Sequence, residues 1–469
     1  MRPTNVLSRS IAALAISCLA AGQSVAAAQP YRLDLDRAIE LAVWQNRSLV
    51  LDILDVKGAS LAVERAESSF DIEVRPVLEI GTLDDETTSR YGLETSKRFG
   101  TGARLSATVT SDDFDRSLGR RARLAIEFNQ PLFRRFGRLV NEEPVVRATS
   151  ALRRSERLYF ARRSDLVLDV IESYESILRF ERQVAADRES LDRAEELLRS
   201  TRAKEALGRS TRIDSLRVEL QQGLARSRLA ANTERLESER QALAELLGLD
   251  PDIVLALEPT GIFSIDLPTS HEAVERALDN RLDYAQALQD RDDAVRGARI
   301  AENLLLPDVT LTGRYERADK PLTFFGGDRS RWFVGVRGET DLNDRAARID
   351  LEQARLEEVS AEQRIRVVQL GISREVRQSM LAYRRARADL ATFESNLDHA
   401  SARLELARRL FESGRTDNFS VTDAEEAYLD AESRQLAGET DATLAAWRFL
   451  HTIGVLIEYP ATLAPEALQ

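Results

Sequence analysis

The sequence predicts a mainly α-helical protein with a smaller β part, built on duplicated long helical hairpins. Three observations carry this. The stretch Gly208-Arg209-Ser210-Thr211 is echoed by Gly414-Arg415-Thr416-Asp417 roughly two hundred residues later, a period that marks an internal repeat. Upstream of these glycines, Val170, Ile177, Val184, Leu191 and Leu198 fall in step with Val376, Tyr383, Leu390, Leu397 and Leu404. Both series recur every seventh residue, the spacing of a coiled-coil seam. Finally, six short stretches alternate apolar and polar residues, the period of a strand with two unlike faces.

The chain opens with a segment that does not read as part of the fold. Arg2 and Arg9 give a basic start, Ile11 to Ala21 is an apolar run, and Ala26-Ala27-Ala28 offers a small-residue cleavage site. That is the pattern of a secretory signal peptide, over residues 1–28, and it is too short to span a bilayer as a helix. A second reading takes Ala15-Ile16-Ser17-Cys18 as a lipoprotein cleavage box, which would leave Cys18 lipidated. In the first reading the mature chain has no cysteine, so it has no disulfide or thiolate chemistry. No later segment reaches the run of about 18 apolar residues that a spanning helix needs. An exported chain of this kind crosses a membrane only as a closed barrel.

The strands follow from alternation. Ile72, Val74, Pro76, Leu78 and Ile80 are interleaved with Glu73, Arg75, Val77, Glu79 and Gly81. Ala103, Leu105, Ala107 and Val109 form a second series, and Ala122, Leu124, Ile126 and Phe128 a third. Pro307, Val309, Leu311, Gly313 and Tyr315 form a fourth, and Trp332, Val334 and Val336 a fifth. Tyr91 to Phe99 is a weaker sixth. The intervening positions carry Arg, Glu, Asp and Thr. A soluble sandwich and an outer-membrane barrel both fit such alternation; runs of about nine to eleven residues suit a tilted membrane strand.

The long helices follow from heptads and from the scarcity of breakers. Beyond Pro144 at its start, the stretch from about Glu143 to Leu207 has neither Pro nor Gly, and that from about Ala346 to Ser413 has only Gly371. Each is followed by a shorter helix, roughly Arg212 to Leu247 and Phe419 to Leu450. The longer members would reach on the order of 90–100 Å at the α-helical rise. Phe393, Ala400 and Ala407 fill the complementary seam positions of the second copy. The opening helices also repeat, with Ala38-Ile39-Glu40-Leu41-Ala42 matching Ala273-Val274-Glu275-Arg276-Ala277 and an asparagine after each, Asn46 and Asn280. The organisation is therefore a first repeat over 29–249, a proline-bearing linker over 250–270, a second repeat over 271–457 and a tail over 458–469.

Composition narrows the function classes. The chain carries 78 acidic and 66 basic residues, a net charge of -12, which disfavours non-specific nucleic-acid binding. Its three histidines, His271, His399 and His451, have no metal-ligand spacing. There is no phosphate-cradling glycine loop and no nucleophile elbow. Nothing in the sequence supports an enzyme or a bound cofactor.

With these elements in order, the chain resembles the TolC family of outer-membrane channel proteins. Leu35 through Ala42 with Asn46 is similar to the family's opening helix. Gln130-Pro131-Leu132-Phe133 and Leu342-Asn343-Asp344 resemble its two strand-to-helix exits. Leu410 through Thr416, continuing into Val421-Thr422-Asp423-Ala424, resembles its second hairpin tip. The resemblance implies a homotrimer that shares one outer-membrane barrel and extends a helical tunnel into the periplasm. It implies a passive exit duct for efflux or type I secretion, driven by an inner-membrane pump through a periplasmic adaptor. It places the turns at Gly208, Arg209 and Ser210 and at Gly414, Arg415 and Thr416 toward that adaptor. It also implies a tunnel aperture just past the second turn, where Asp423 fits one acidic position and Ser420 departs from the other. Four strands in the first half, against the usual pair, are a second departure. The competing expectation is an exported coiled-coil or adhesion protein without a pore.

Overall fold

The computed structural model describes residues 31–83, 86–113, 121–208, 210–319, 330–340 and 343–465. The signal peptide expected over 1–28, with Cys18, lies outside the described residues, as do Arg209 and Leu342.

The first copy begins with a short strand, β1 (Tyr31–Leu33), then α1 (Leu35–Gln45) and α2 (Arg47–Ser68). Four strands follow: β2 (Ile72–Leu83), β3 (Glu86–Arg98), β4 (Arg104–Asp113) and β5 (Arg121–Pro131). A single turn, α3 (Arg138–Asn141), leads into the hairpin of α4 (Glu143–Ala206) and α5 (Arg212–Leu246). After β6 (Leu255–Leu257), the second copy has α6 (Ser270–Asn280) and α7 (Leu282–Leu304). It continues with β7 (Asp308–Asp319), β8 (Ser330–Glu339), α8 (Arg345–Glu412) and α9 (Asn418–Thr452).

The six long strands form one antiparallel sheet in the order β2-β3-β4-β5-β7-β8. The ladders continue past the apolar positions, which is why most strands outrun the alternating runs of the sequence. Side chains on one face are mostly apolar across all six. One row runs Val74, Thr95, Ala107, Ile126, Tyr315 and Trp332. These residues meet no other layer: Trp332 is 80% exposed and Leu78 72%. The other face is charged and paired within itself. Arg90 reaches Glu79 at 2.9 Å, Arg314 reaches Glu127 at 3.3 Å, and Arg75 lies between Glu73 and Glu94. A sheet that bares its apolar face and ion-pairs its polar face is built for lipid outside and water inside.

The helices form a layer. α5 packs on α4, α4 on α9, and α9 on α8. The heptad seams point into this layer: Val170 and Ile177 are fully buried, as is Val376, with Tyr383, Leu390 and Leu404 close behind. The layer has two free edges. On α5, Ile213, Leu216, Leu220 and Leu224 form an exposed apolar stripe, and α8 exposes Leu356, Val359, Val367 and Leu370.

About midway along its long helix, each copy builds a joint around the end of the shorter hairpin helix. α5 and α9 end on Gly248 and Gly454, in left-handed conformation at φ 69 and 76°. Each closes a Schellman cap, with Leu249 N–H donating to Ala244 O and Val455 N–H to Leu450 O. The first joint packs Leu33, Leu49, Leu243, Leu247 and Leu255; the second packs Ala277, Val376, Phe449 and Ile453. Asn46 breaks α1 from α2, capping α2 through Ser48 and Leu49 N–H while its amide donates to Leu246 O at 3.0 Å. Its structural counterpart is Arg281, not Asn280: Arg281 stands at the break between α6 and α7 and reaches Thr452 O and Glu375. The same joint is made with different side chains. The parallel pair β1–β6 has no sequence signature, being only three residues on each side. Tyr174 holds it, its one hydroxyl proton shared between Leu33 O and Glu258 O, and burial pushes its pKa up to about 12.

Candidate functional site at the hairpin tips

The far end of the layer is built by two turns. In the second, α8 closes through a Schellman cap: Gly414 N–H donates to Phe411 O and Arg415 N–H to Leu410 O. This requires a left-handed residue, and Gly414 supplies it at φ 71°. Asp417 then caps α9 by accepting from Ser420 N–H at 3.2 Å. The Ser420 hydroxyl donates to Asp417 and accepts from Thr416, so Ser420 is engaged in the cap itself.

The first turn has the same shape and different chemistry. Gly208 is left-handed at φ 69°. Thr211 and Asp214 form a reciprocal capping box on α5, and Ser210 adds a third donor to the Asp214 carboxylate. The Asp214 carboxyl is held below the usual range, first by the Thr211 backbone N–H and then by its hydroxyl.

The structure brings the two turns together. The buried Asn418 side chain donates to Asp214 O at 3.0 Å. Lys204 donates to Phe411 O and lies over the Phe411 ring at 3.4 Å. Gly208, Ser210, Gly414, Arg415 and Thr416 therefore share one end of the layer. Gly208, Gly414 and Arg415 are exposed there; Ser210 and Thr416 are partly covered.

One turn above the second cap, Asp423 is about half exposed and paired with Arg403 of α8. Ser420 and Asp423 are not equivalent: one is spent on the turn, the other is bound to the neighbouring helix. Deeper in, Glu425 is buried between Arg193 of α4 and Arg408 of α8, at 2.7 and 2.8 Å. This single carboxylate ties three helices together. Arg193 also lies against the Tyr428 ring, and Tyr428 donates to Glu432, whose carboxyl is pushed up by burial. Sequence reading had no way to single out Glu425, Arg193 and Arg408. They are three charges among many, and α4 lies far away in sequence. Among the described residues, no group of three His, Cys, Asp or Glu side chains is placed to hold a metal ion.

A sheet with a bare apolar face, carried on long helical hairpins, defines the class: a membrane-embedded channel with a helical extension. Residues 273–454, most of the second copy, match the family of outer membrane efflux proteins. Solved structures agree in fold. A membrane protein from Pseudomonas aeruginosa aligns with a TM-score of 0.68 at 20% identity, covering 90% of this chain and 93% of that one. The outer membrane protein VceC from Vibrio cholerae gives 0.69 at 17% identity, covering 90% and 96%. The Campylobacter jejuni CmeC outer membrane channel gives 0.70 at 14%, covering 90% and 86%. No curated protein sequence matches the chain. The second copy thus carries the match to outer membrane efflux proteins, and the chain as a whole shares the fold of these solved outer-membrane proteins.

Proposed function

We propose that three copies of this chain close one shared barrel and one helical tunnel, the passive exit duct of a tripartite efflux pump. The observation that carries this is the pair of open edges at both ends of one protomer. The sheet ends on β2 and β8, and the helical layer ends on α5 and α8, all with exposed apolar side chains. A sheet edge cannot be left unpaired in lipid, so the barrel must close through further copies. In this arrangement the turns at Gly208–Ser210 and Gly414–Thr416 face the periplasmic adaptor, and Asp423 and Ser420 stand at the tunnel aperture. Residues 1–28 are the signal peptide, 29–249 and 271–457 the two repeats, 250–270 the linker and 458–469 the tail. That tail is anchored at Leu463, whose carbonyl accepts from Arg157 at 3.2 Å.

Membrane fractionation, native mass and planar-bilayer conductance test the reading together. A trimer in the outer-membrane fraction that conducts ions is the expected result. A soluble periplasmic monomer, or a trimer that never conducts, overturns it.

A further inference from the structure

The two copies are out of phase by an amount that locates an insertion. Ala38 and Ala42 of α1 correspond to Ala273 and Ala277 of α6, 235 positions on, and all four are fully buried in equivalent joints. After the strands, Gly208 and Gly248 correspond to Gly414 and Gly454, 206 positions on. The first copy is thus 29 residues longer between these landmarks. Strands β3 and β4 with their turn, residues 86–113, span 28. Remove them, and β2 then β5 match β7 then β8.

The inserted hairpin is not an appendage. Its strands sit inside the sheet, with β3 paired to β2 along the length of that strand and β4 paired to β5. Gly92 of β3 leaves no room for a side chain against Val109 and Thr110 of β4. Its faces obey the same rule as the rest. Tyr91, Leu93, Leu105 and Val109 lie on the apolar face, level with Leu78 of β2 and with Leu124 and Phe128 of β5. Glu94 joins the ion pairs of the other face through Arg75. A hairpin projecting into water would have no reason to present an apolar band at the height of its neighbours. Pro76 removes one N–H donor from β2 and leaves the remainder of that edge able to pair.

We propose that the inserted hairpin is part of the barrel wall, so that β8 of each copy pairs with β2 of the next and the trimer closes with eighteen strands. The proposal rests on the trimeric reading above. Barrel diameter grows roughly linearly with strand number, so the lumen is about 1.5 times as wide as the twelve-strand barrel that two strands per repeat would build. Barrels of about 16 to 18 strands enclose an aqueous channel without a plug.

The alternative closure uses β4 as the edge, with β2 and β3 displaced from the wall. Cysteine pairs distinguish the two. In a Cys18→Ser background, Val334→Cys on β8 is combined in turn with Ile72→Cys, Val74→Cys, Leu78→Cys or Ile80→Cys on β2. A second set combines it with Leu105→Cys, Ala107→Cys or Val109→Cys on β4. Oxidation in native membranes should yield covalent trimers from at least one β2 pair and none from the β4 set. Links only from the β4 set overturn the eighteen-strand barrel while leaving the trimer standing. A native trimer in which no β2 pair links also overturns it, and the absence of any trimer by native mass overturns the reading beneath it. Deletion of residues 86–113 gives an independent check by electron microscopy of the trimer. The barrel should shrink to about two-thirds of its diameter, and an unchanged diameter would count against the proposal.

Discussion

The hairpins end in glycine turns at the tips and in glycine caps at the joints, and the two ends are built differently around nearly the same backbone. Gly208 and Gly414 at the tips, and Gly248 and Gly454 at the joints, all have φ between 69 and 76°. At the tips, a side chain added to either glycine would meet nothing within 4 Å. At the joints it would strike backbone: Gln45 O at 2.6 Å from Gly248, and Asn280 at 3.2 Å from Gly454. The joints are surrounded by fully buried Leu243, Leu247, Leu255 and Phe449. The tips hold only a small cluster of Leu404, Ala407, Val421 and Ala424, with charges around it. The joints therefore fix the short hairpin helices to the middle of the long ones by packing, while the tips are held largely by polar bonds.

The sharpest way to break this comparison is to put the same methyl group at both ends. Gly248→Ala combines left-handed strain with a backbone collision and should cost about 3 kcal/mol or more. Gly454→Ala, with its looser neighbour, should cost about 2 kcal/mol by the same reasoning. Gly414→Ala and Gly208→Ala carry strain alone, about 1 kcal/mol. Thermal unfolding of the solubilised trimer at one fixed scan rate should rank the variants in that order. Equal losses at tip and joint would show that the two ends are alike after all.

The next effect concerns the polar bonds themselves. Glu425→Ala leaves Arg193 and Arg408 facing each other without their shared carboxylate. A fully buried pair broken this way loses about 3 to 5 kcal/mol, and because both arginines reach solvent we expect about 2 kcal/mol. The loss should be local. Hydrogen exchange should speed up in α9 near Val421 to Tyr428 and leave the joint near Phe449 unchanged. Uniform acceleration along α9 would mean that Glu425 supports the whole hairpin rather than its tip.

Much of this was legible in the sequence, for identifiable reasons. Heptads in α4 and α8 and alternation in the strands are periodic signals that packing obeys, so the helices, the six strands and the tip glycines could be read directly. The joints could not. Asn46 and Arg281 perform one task with unlike side chains, and β1 and β6 are too short to show a period. Glu425 was illegible because its partners come from two other helices. Asp423 was legible as a charge, but not its pairing with Arg403, which changes what a ring of such residues would do. An acidic ring favours cations, yet each Asp423 brings a guanidinium with it. Arg403→Ala should therefore raise cation preference in bilayer recordings, and Asp423→Asn should lower it by less. The exposed pair itself contributes under about 1 kcal/mol, so neither change should alter folding. If Asp423→Asn has the larger effect on selectivity, the carboxylate acts unpaired in the open duct.

The smallest effect expected separates the two tips by pH. Asp214 completes the capping box of α5, its carboxyl held below the usual range by Thr211, and it accepts three bonds from Ser210 and Thr211. A carboxylate whose folded value is depressed stabilises the fold fully above its unfolded value, about 3.9 for Asp. That stability is lost as pH falls through the folded value, because the unfolded chain then binds the proton more readily. Asp214→Asn cannot lose it a second time. Wild type should melt above Asp214→Asn at neutral pH, and the gap should narrow once pH falls below about 4, closing at still lower pH. A gap that persists through that range would mean the asparagine disturbs the first tip by shape, and that the capping box does not depend on charge.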